Sequence, residues 1–311
     1  MLSRVADNLY WIGRYLQRAE NTARLINVNA NLVMDLPRRM TPGWGPLIEI
    51  VGADATFREH YSEASEENVV RFLIADQRYP GSIQSSLYHA REILRTVRDT
   101  MPRDTWERLN DLYFHLQERG EAAVARAQRQ AVLAETIDGT LQIFSVLASS
   151  MSRDVGFQFL RIGTNLEQAD MTTRILDVRA SRVAREAPGP DLSPFENIIW
   201  MSVLRSLTAY QMYRRTMKAR VNGPGVLRFL LQNREFPRSV MFCLSRIAST
   251  LPALPESRKI ERAIERTRAL ARDANIEALI KSDLGVPRLM DEIQIGLGEL
   301  HTALSEAYFK G

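Results

Sequence analysis

The feature that most constrains this chain is a helical segment used twice. Residues 12–28, IGRYLQRAENTARLINV, align without a gap on 162–178, IGTNLEQADMTTRILDV, and seven of the 17 positions are identical. Average composition would give about one. A second pair, 69–87 with 226–244, also shares seven identities, over 19 positions. The offset is 150 in the first pair and 157 in the second, so the later copy has gained seven residues between its blocks. Order and spacing agree, which is the mark of a duplicated multi-helix unit. The expected fold is all-α, with two tandem pseudo-symmetric multi-helix repeats packed as one helical bundle. Repeat one covers about 1–150 and repeat two about 151–311, together a single domain over 1–311.

The apolar periodicity carries the helices. Val5, Leu9, Ile12, Leu16, Ala19, Ala23 and Ile26 follow one another at steps of four and three, which draws one stripe along a long helix. Val155, Phe159, Ile162, Leu166, Ala169, Thr173 and Leu176 repeat that stripe in the second copy. Pro37 and the run Thr41 to Pro46 break the first helix. Further helices are predicted near 66–76, 82–100, 104–118, 121–149 and 153–185. Asp104 with Glu107 reads as a capping box. The break from Ala187 to Asp191 precedes a helix with Ser193 as N-cap, Pro194 at its first position and Glu196 at its third. A final helix aligns Leu289, Ile293, Leu297, Leu300 and Leu304. No useful stretch alternates with period two, so no sheet is expected.

Composition excludes several classes. The chain is 45% apolar, so disorder is not expected. Its one cysteine, Cys243, excludes a disulfide framework and a multi-cysteine metal site. No apolar run approaching 18 residues is read, and the N-terminus lacks a signal-peptide core. A cytoplasmic protein with no membrane contact is expected. The net charge is +4, and only four of the 41 basic residues are lysine. Arginine forks carboxylates and phosphates, which suits a binder of phosphates or acidic peptides. Arginine in place of lysine also follows from a GC-rich genome. Basic and acidic residues are interleaved, as along 256–262, and no basic block is read, so no nucleic-acid binding is expected.

Polar positions retained across the repeat are the candidate site. Arg24 corresponds to Arg174 and Glu20 to Asp170, so each copy places an acid one turn before an arginine, at pairing distance on a helix. Gly13 corresponds to Gly163; glycine inside a helix costs roughly 1 kcal/mol against alanine, so using it twice implies a close backbone approach. Tyr10, Arg14, Gln17, Asn21 and Arg24 form one polar stripe beside the apolar one, and Thr164, Glu167, Met171 and Arg174 form its counterpart. Two readings stand: a half-buried network that fixes helix packing, or a groove for a carboxylate or phosphate ligand. Other candidates are weaker. The four histidines lack a metal spacing, and Cys243 reads as a core thiol. Arg91 with Glu92 and Trp106 with Glu107 read as surface pairing and a packed aromatic. Thr172 and Thr173 beside Asp170 lack a base.

The stretch from Leu2 to Leu25, the block from Ser152 through Arg174, and the segments 91–99 and 106–110 resemble the bacterial Alpha-E family, an α-helical domain of unknown function with a Glu-Arg motif. The motif reads Gln17-Arg18 in the first copy and Glu167-Gln168 in the second, so each copy keeps half, and Thr164 replaces the arginine that would match Arg14. A composite site shared between copies, or a structural role, survives these departures better than two independent sites. The resemblance implies partners: a circularly permuted ATP-grasp ligase and a transglutaminase-like peptidase, in systems that make or process a peptide. The reading that follows is a non-catalytic, substrate-presenting partner of an amide ligase. Arg14, Arg18, Arg24, Arg153 and Arg174 would bind an anion, and Glu20, Glu167 and Asp170 would hold those arginines in place, with Asp154 a further candidate for ligand binding. No cofactor or metal is called for. The alternatives are a stand-alone enzyme of amide-bond formation or hydrolysis, with Glu167 or Glu20 as base, and a structural oligomerisation module.

Overall fold

The computed structural model describes residues 3–36, 43–186, 193–255, 257–282 and 284–310, with side chains left undescribed over 182–195. Among these residues the secondary structure is helical throughout, with no strand. Two long helices dominate. The first, α1 (Ser3–Asp35), and the eighth, α8 (Val155–Glu186), are the helices on which the repeated stripes lie. Leu9, Ile12, Leu16, Ala19, Ala23 and Ile26 are all buried on α1, and Phe159, Ile162, Leu166, Ala169, Thr173 and Leu176 on α8. The steps of four and three therefore mark buried faces, as read. Between them lie α2 (Gly45–Val51), α3 (Asp54–His60), α4 (Glu66–Ile74), α5 (Ile83–Val97), α6 (Arg103–Arg119) and α7 (Arg126–Ser150). After α8 come α9 (Ser193–Ser206), α10 (Tyr210–Met217), α11 (Gly223–Gln232), α12 (Val240–Ala248), α13 (Arg258–Arg272), α14 (Ile276–Ile280) and α15 (Gly285–Leu304).

The chain divides into two compact units, neither continuous in sequence. The first comprises Met1–Asn27, Gly43–Glu167 and Tyr308–Gly311; the second comprises Val28–Pro42 and Gln168–Ala307. In the first unit α4 packs on α5, α5 on α6 and α6 on α7. Its core includes Val69, Phe72, Leu73, Leu87, Leu94, Leu109, Leu116 and Val132. Tyr308 and Phe309 close it, with rings against Phe159 at 5.2 and 5.9 Å. In the second unit α11 packs on α12, α12 on α13, and α13 along α15. The predicted stripe Leu289, Ile293, Leu297, Leu300, Leu304 is buried there.

The second sequence pair forms the same kind of corner in each unit. Ser82 caps α5 by accepting from the Ser85 amide at 3.1 Å, and its counterpart Ser239 caps α12 by accepting from the Phe242 amide at 3.1 Å. The corner side chain is Asp76 in one and Asn233 in the other. Each folds its oxygen back onto an amide two residues on, at 3.0 and 2.8 Å, an Asx turn in both cases.

Several local expectations need correction. The Asp104–Glu107 capping box does not form. Pro102 precedes a helix that begins at Arg103, no side chain caps it, and Glu107 pairs instead with Arg103 at 2.7 Å. Proline's restricted φ starts the helix a residue early, which moves Asp104 into the first turn. The 121–149 segment is a 3₁₀ turn, Glu121–Val124, followed by α7. The run Thr41–Pro46, read wholly as a break, leads into α2, which begins at Gly45. Pro37, residues 41–42 and the 187–191 break lie outside the described residues. The helix α9 begins at Ser193, and the capping role read for the Ser193 side chain lies outside the described residues. Finally, α7 is long and apolar enough to cross a membrane by length and composition, contrary to the reading that no such run exists. Within this helix Glu135 bonds Arg119 of α6 at 2.9 Å, and only a third of the apolar window is buried.

Candidate functional site

The site starts from the two glycines. A Cβ at Gly13 would stand 2.4 Å from the Leu160 carbonyl oxygen, and one at Gly163 would stand 2.0 Å from the Tyr10 carbonyl oxygen. Each glycine thus meets the carbonyl three residues before the other. Only a bare Cα permits such an approach, so α1 and α8 touch backbone to backbone at this crossing. Longer side chains flanking it are driven together.

Arg14 and Arg18, one turn apart on α1, both reach Glu167 on α8. Arg14 Nε donates to Glu167 Oε2 at 2.6 Å, Arg18 Nε donates to Oε1 at 2.6 Å, and Arg18 Nη2 donates to Oε2 at 3.1 Å. Arg18 therefore forks the carboxylate. Arg14 Nη1 also donates to the Tyr10 hydroxyl at 3.2 Å. Aromatic rings wall the cluster: Trp11 lies 5.3 Å from the Arg14 guanidinium and Tyr15 lies 5.6 Å from that of Arg18. The Glu167 side chain is 4% exposed, against 13% for Arg14 and 24% for Arg18.

Burial alone would raise the Glu167 pKa. The charges of Arg18 and Arg14 and their hydrogen bonds outweigh it and hold the carboxyl at about 2. Burial pulls the Arg18 guanidinium down, and Glu167 more than restores it. Burial pushes the Tyr10 hydroxyl up to about 12. At neutral pH the cluster is thus two guanidinium cations on one carboxylate, with a neutral phenol beside them.

A second polar group follows along α1. Gln17 donates to Glu20 at 2.6 Å and to Asn21 at 2.9 Å, and Arg24 Nε donates to Glu20 at 2.7 Å. Gln17, Glu20 and Asn21 are buried rather than half-buried. In the second unit Arg174 Nε donates to Asp170 at 2.9 Å, so both intrahelical pairs read from the sequence form. Arg153 and Asp154 stand apart from the cluster. Arg153 donates to the Ala148 carbonyl at the end of α7, and Asp154 accepts the Phe157 amide at 3.0 Å at the start of α8. Their visible work is to end one helix and begin the next.

The remaining candidates are structural. Cys243 is buried, and desolvation pushes its thiol to about 12, which leaves it a neutral core group. Arg91 bonds Glu92 and Asn110 and lies over the Trp106 ring. Thr173 bonds the Asp170 carbonyl of its own helix. Among the described residues no three His, Cys, Asp or Glu side chains are grouped to hold a metal. The composite reading of the Glu-Arg motif named Arg18 and Glu167 without assigning one to the other, and the structure brings these retained halves together. The half-pairs Gln17-Arg18 and Glu167-Gln168 were the signal, since an unmatched Arg and an unmatched Glu balance only if they meet.

Comparison with known proteins agrees with the helical reading. The Alpha-E family model, described as a predicted alpha-helical domain with a conserved ER motif, matches residues 1–309. Uncharacterized proteins of Mycobacterium bovis and Mycobacterium tuberculosis are 25% identical over 324 residues, across 97% of this chain. The match takes up 36% of each relative, so the chain spans about a third of the length of the curated relatives it matches. No solved structure matches significantly.

Proposed function

The chain belongs to the Alpha-E family, and from that premise we propose that it is a non-catalytic partner of an ATP-grasp amide-ligase system, presenting an arginine-lined site to an anionic or peptide ligand. The observation that carries this reading is the two-to-one cluster of Arg14 and Arg18 on Glu167. The Arg18 side chain is 24% exposed and so keeps access to solvent beside that carboxylate. A carboxylate or phosphate group on a ligand would reach it through charge-assisted hydrogen bonds. The same geometry disfavours a stand-alone enzyme using Glu167. A carboxyl held at about 2 and bonded by two guanidiniums is a weak base at neutral pH.

Two further observations support the reading. The reciprocal contacts of Gly13 and Gly163 are those expected of two tandem copies related by a pseudo-two-fold axis, with a site composed from both. The relatives also carry nearly two-thirds of their length outside the match, room for a fused partner domain. A transglutaminase-like peptidase would be the second partner, and the cytoplasm the compartment.

The test is purification of tagged protein from its own bacterium at low salt, followed by mass spectrometry. A stoichiometric ATP-grasp ligase is expected. A clean monomer or homo-oligomer would overturn the partner reading. In the reconstituted complex, Arg18→Gln should leave assembly intact and lower product formation at least tenfold. Unchanged product from a folded variant would return the cluster to a packing role.

A further inference from the structure

The second unit holds a cleft of about 640 Å³ that none of the motif residues line. Asn197 of α9, Tyr210 and Arg214 of α10, and Lys218 and Arg220 of the following loop form its polar wall. Among the described residues no carboxylate lines it. From Asn197 to Arg234 the sequence contains no Asp or Glu, while Arg205, Arg214, Arg215, Lys218, Arg220, Arg228 and Arg234 all fall within that span. The interleaving of charge seen along 256–262 therefore stops here.

Many of this protein's arginines have a carboxylate beside them. Arg14, Arg18, Arg24, Arg78, Arg129 and Arg174 each have a carboxylate partner. Among the described residues Arg214, Lys218 and Arg220 have none. Three like charges around one concavity repel one another, and a polyanion entering the cleft would relieve that repulsion.

Lys218 ends α10 in the left-handed conformation, with φ 50°. The Arg220 carbonyl accepts from the Tyr213 hydroxyl at 3.4 Å and from Asn222 Nδ2 at 3.2 Å, which holds the loop. Arg205 and Arg214 lie 5.6 and 5.9 Å from the Tyr210 ring centre. The volume falls in the range of small-molecule sites, roughly 300–1,000 Å³. Two arginine forks and a lysine point charge match phosphate oxygens.

We propose that this cleft binds a small phosphorylated ligand of nucleotide size, with its phosphates on Arg214, Lys218 and Arg220. The assignment is independent of the Arg14–Arg18–Glu167 site.

Inorganic tripolyphosphate is the probe, titrated calorimetrically into the full chain in 50 mM salt. One site per chain is expected, weakening about tenfold by 300 mM salt as phosphate contacts exchange with counterions. The variant R214Q/R220Q should keep the wild-type circular dichroism spectrum and bind at least tenfold more weakly. Lys218→Gln, a single exposed change, provides the same test should the double variant fail to fold. Arg103→Gln, on α6, should bind as wild type does. ATP as a second titrant distinguishes a nucleotide from a bare polyphosphate: tighter binding of ATP, lost in Tyr210→Ala, identifies a base on the ring. Absence of binding at millimolar tripolyphosphate, or equal binding by wild type, R214Q/R220Q and Lys218→Gln, would overturn the proposal. So would a single-stranded 20-nucleotide probe that binds far more tightly and is lost in the same variants, since the cleft would then serve a nucleic acid.

Discussion

Gln17 and Glu167 occupy equivalent positions in the sequence repeat, and both are buried, at 1% and 3% exposure. One is neutral and the other charged, and their surroundings differ to match. Glu167 receives Arg14 and Arg18. Gln17 donates to Glu20 and Asn21 within its own helix. The positions equivalent to Arg14 and Arg18 in the second copy are Thr164 and Gln168, neither a cation. The ionic residues of the motif are thus gathered around one carboxylate. A buried carboxylate is tolerable only beside cations, and a buried cation only beside a carboxylate, so loss of one half permits loss of the other.

The comparison breaks hardest at Glu167. Glu167→Ala removes the buried carboxylate that Arg14 and Arg18 share and should cost about 3–5 kcal/mol of stability, read by urea unfolding. A loss under about 1 kcal/mol would mean that water or rotation of the arginines already compensates. The pH dependence tests the same point. The folded pKa of Glu167, about 2, lies below the ordinary carboxylate value, so its contribution is complete above about pH 4.5 and is lost as pH falls toward 2. Wild type should lose stability over that window, and Glu167→Gln should lose less.

A smaller effect sharpens the neutral half. Gln17→Glu places a carboxylate against Glu20, its hydrogen-bond partner at 2.6 Å. Like charges raise the pKa of one of them, and one to two units correspond to about 1–3 kcal/mol at pH 7. The deficit should shrink as the pH is lowered toward 4 and the new carboxyl takes up a proton. A deficit that does not vary with pH would show that the cost is steric.

The smallest effect separates the two intrahelical pairs. Glu20 is buried beneath Arg24, whereas the side chains of Asp170 and Arg174 are 21% and 33% exposed. Asp170→Asn should therefore change stability by less than about 1 kcal/mol, within the range of exposed helix pairs. Glu20→Gln should cost more, because it also disturbs the bond from Gln17. Equal losses in thermal unfolding would mean that burial does not govern these pairs.

Much of this was legible in the residues. The steps of four and three on α1 and α8 named buried faces, because a helix turns by a fixed angle per residue and the buried side must recur at that period. Glu20–Arg24 and Asp170–Arg174 were legible for the same reason, since both partners share one helix. Gly13 and Gly163 announced a close approach but not its partner. The Asp104–Glu107 cap failed because Pro102 set the helix start, a local competition that spacing alone does not resolve. The acid-free run from Asn197 to Arg234 was present in the sequence, but three of its cations became one wall only when the chain folded around the cleft.

Local chain geometry, then, determined that this protein is helical, which faces its long helices bury and which acids sit one turn from an arginine. Those properties depend on neighbours a few residues away. Tertiary structure alone decided that Arg14 and Arg18 belong to Glu167, some 150 positions distant. That pairing depends on how closely α1 and α8 approach and in what register. Both are set by the carbonyl contacts of two glycines, which no periodicity within either helix contains.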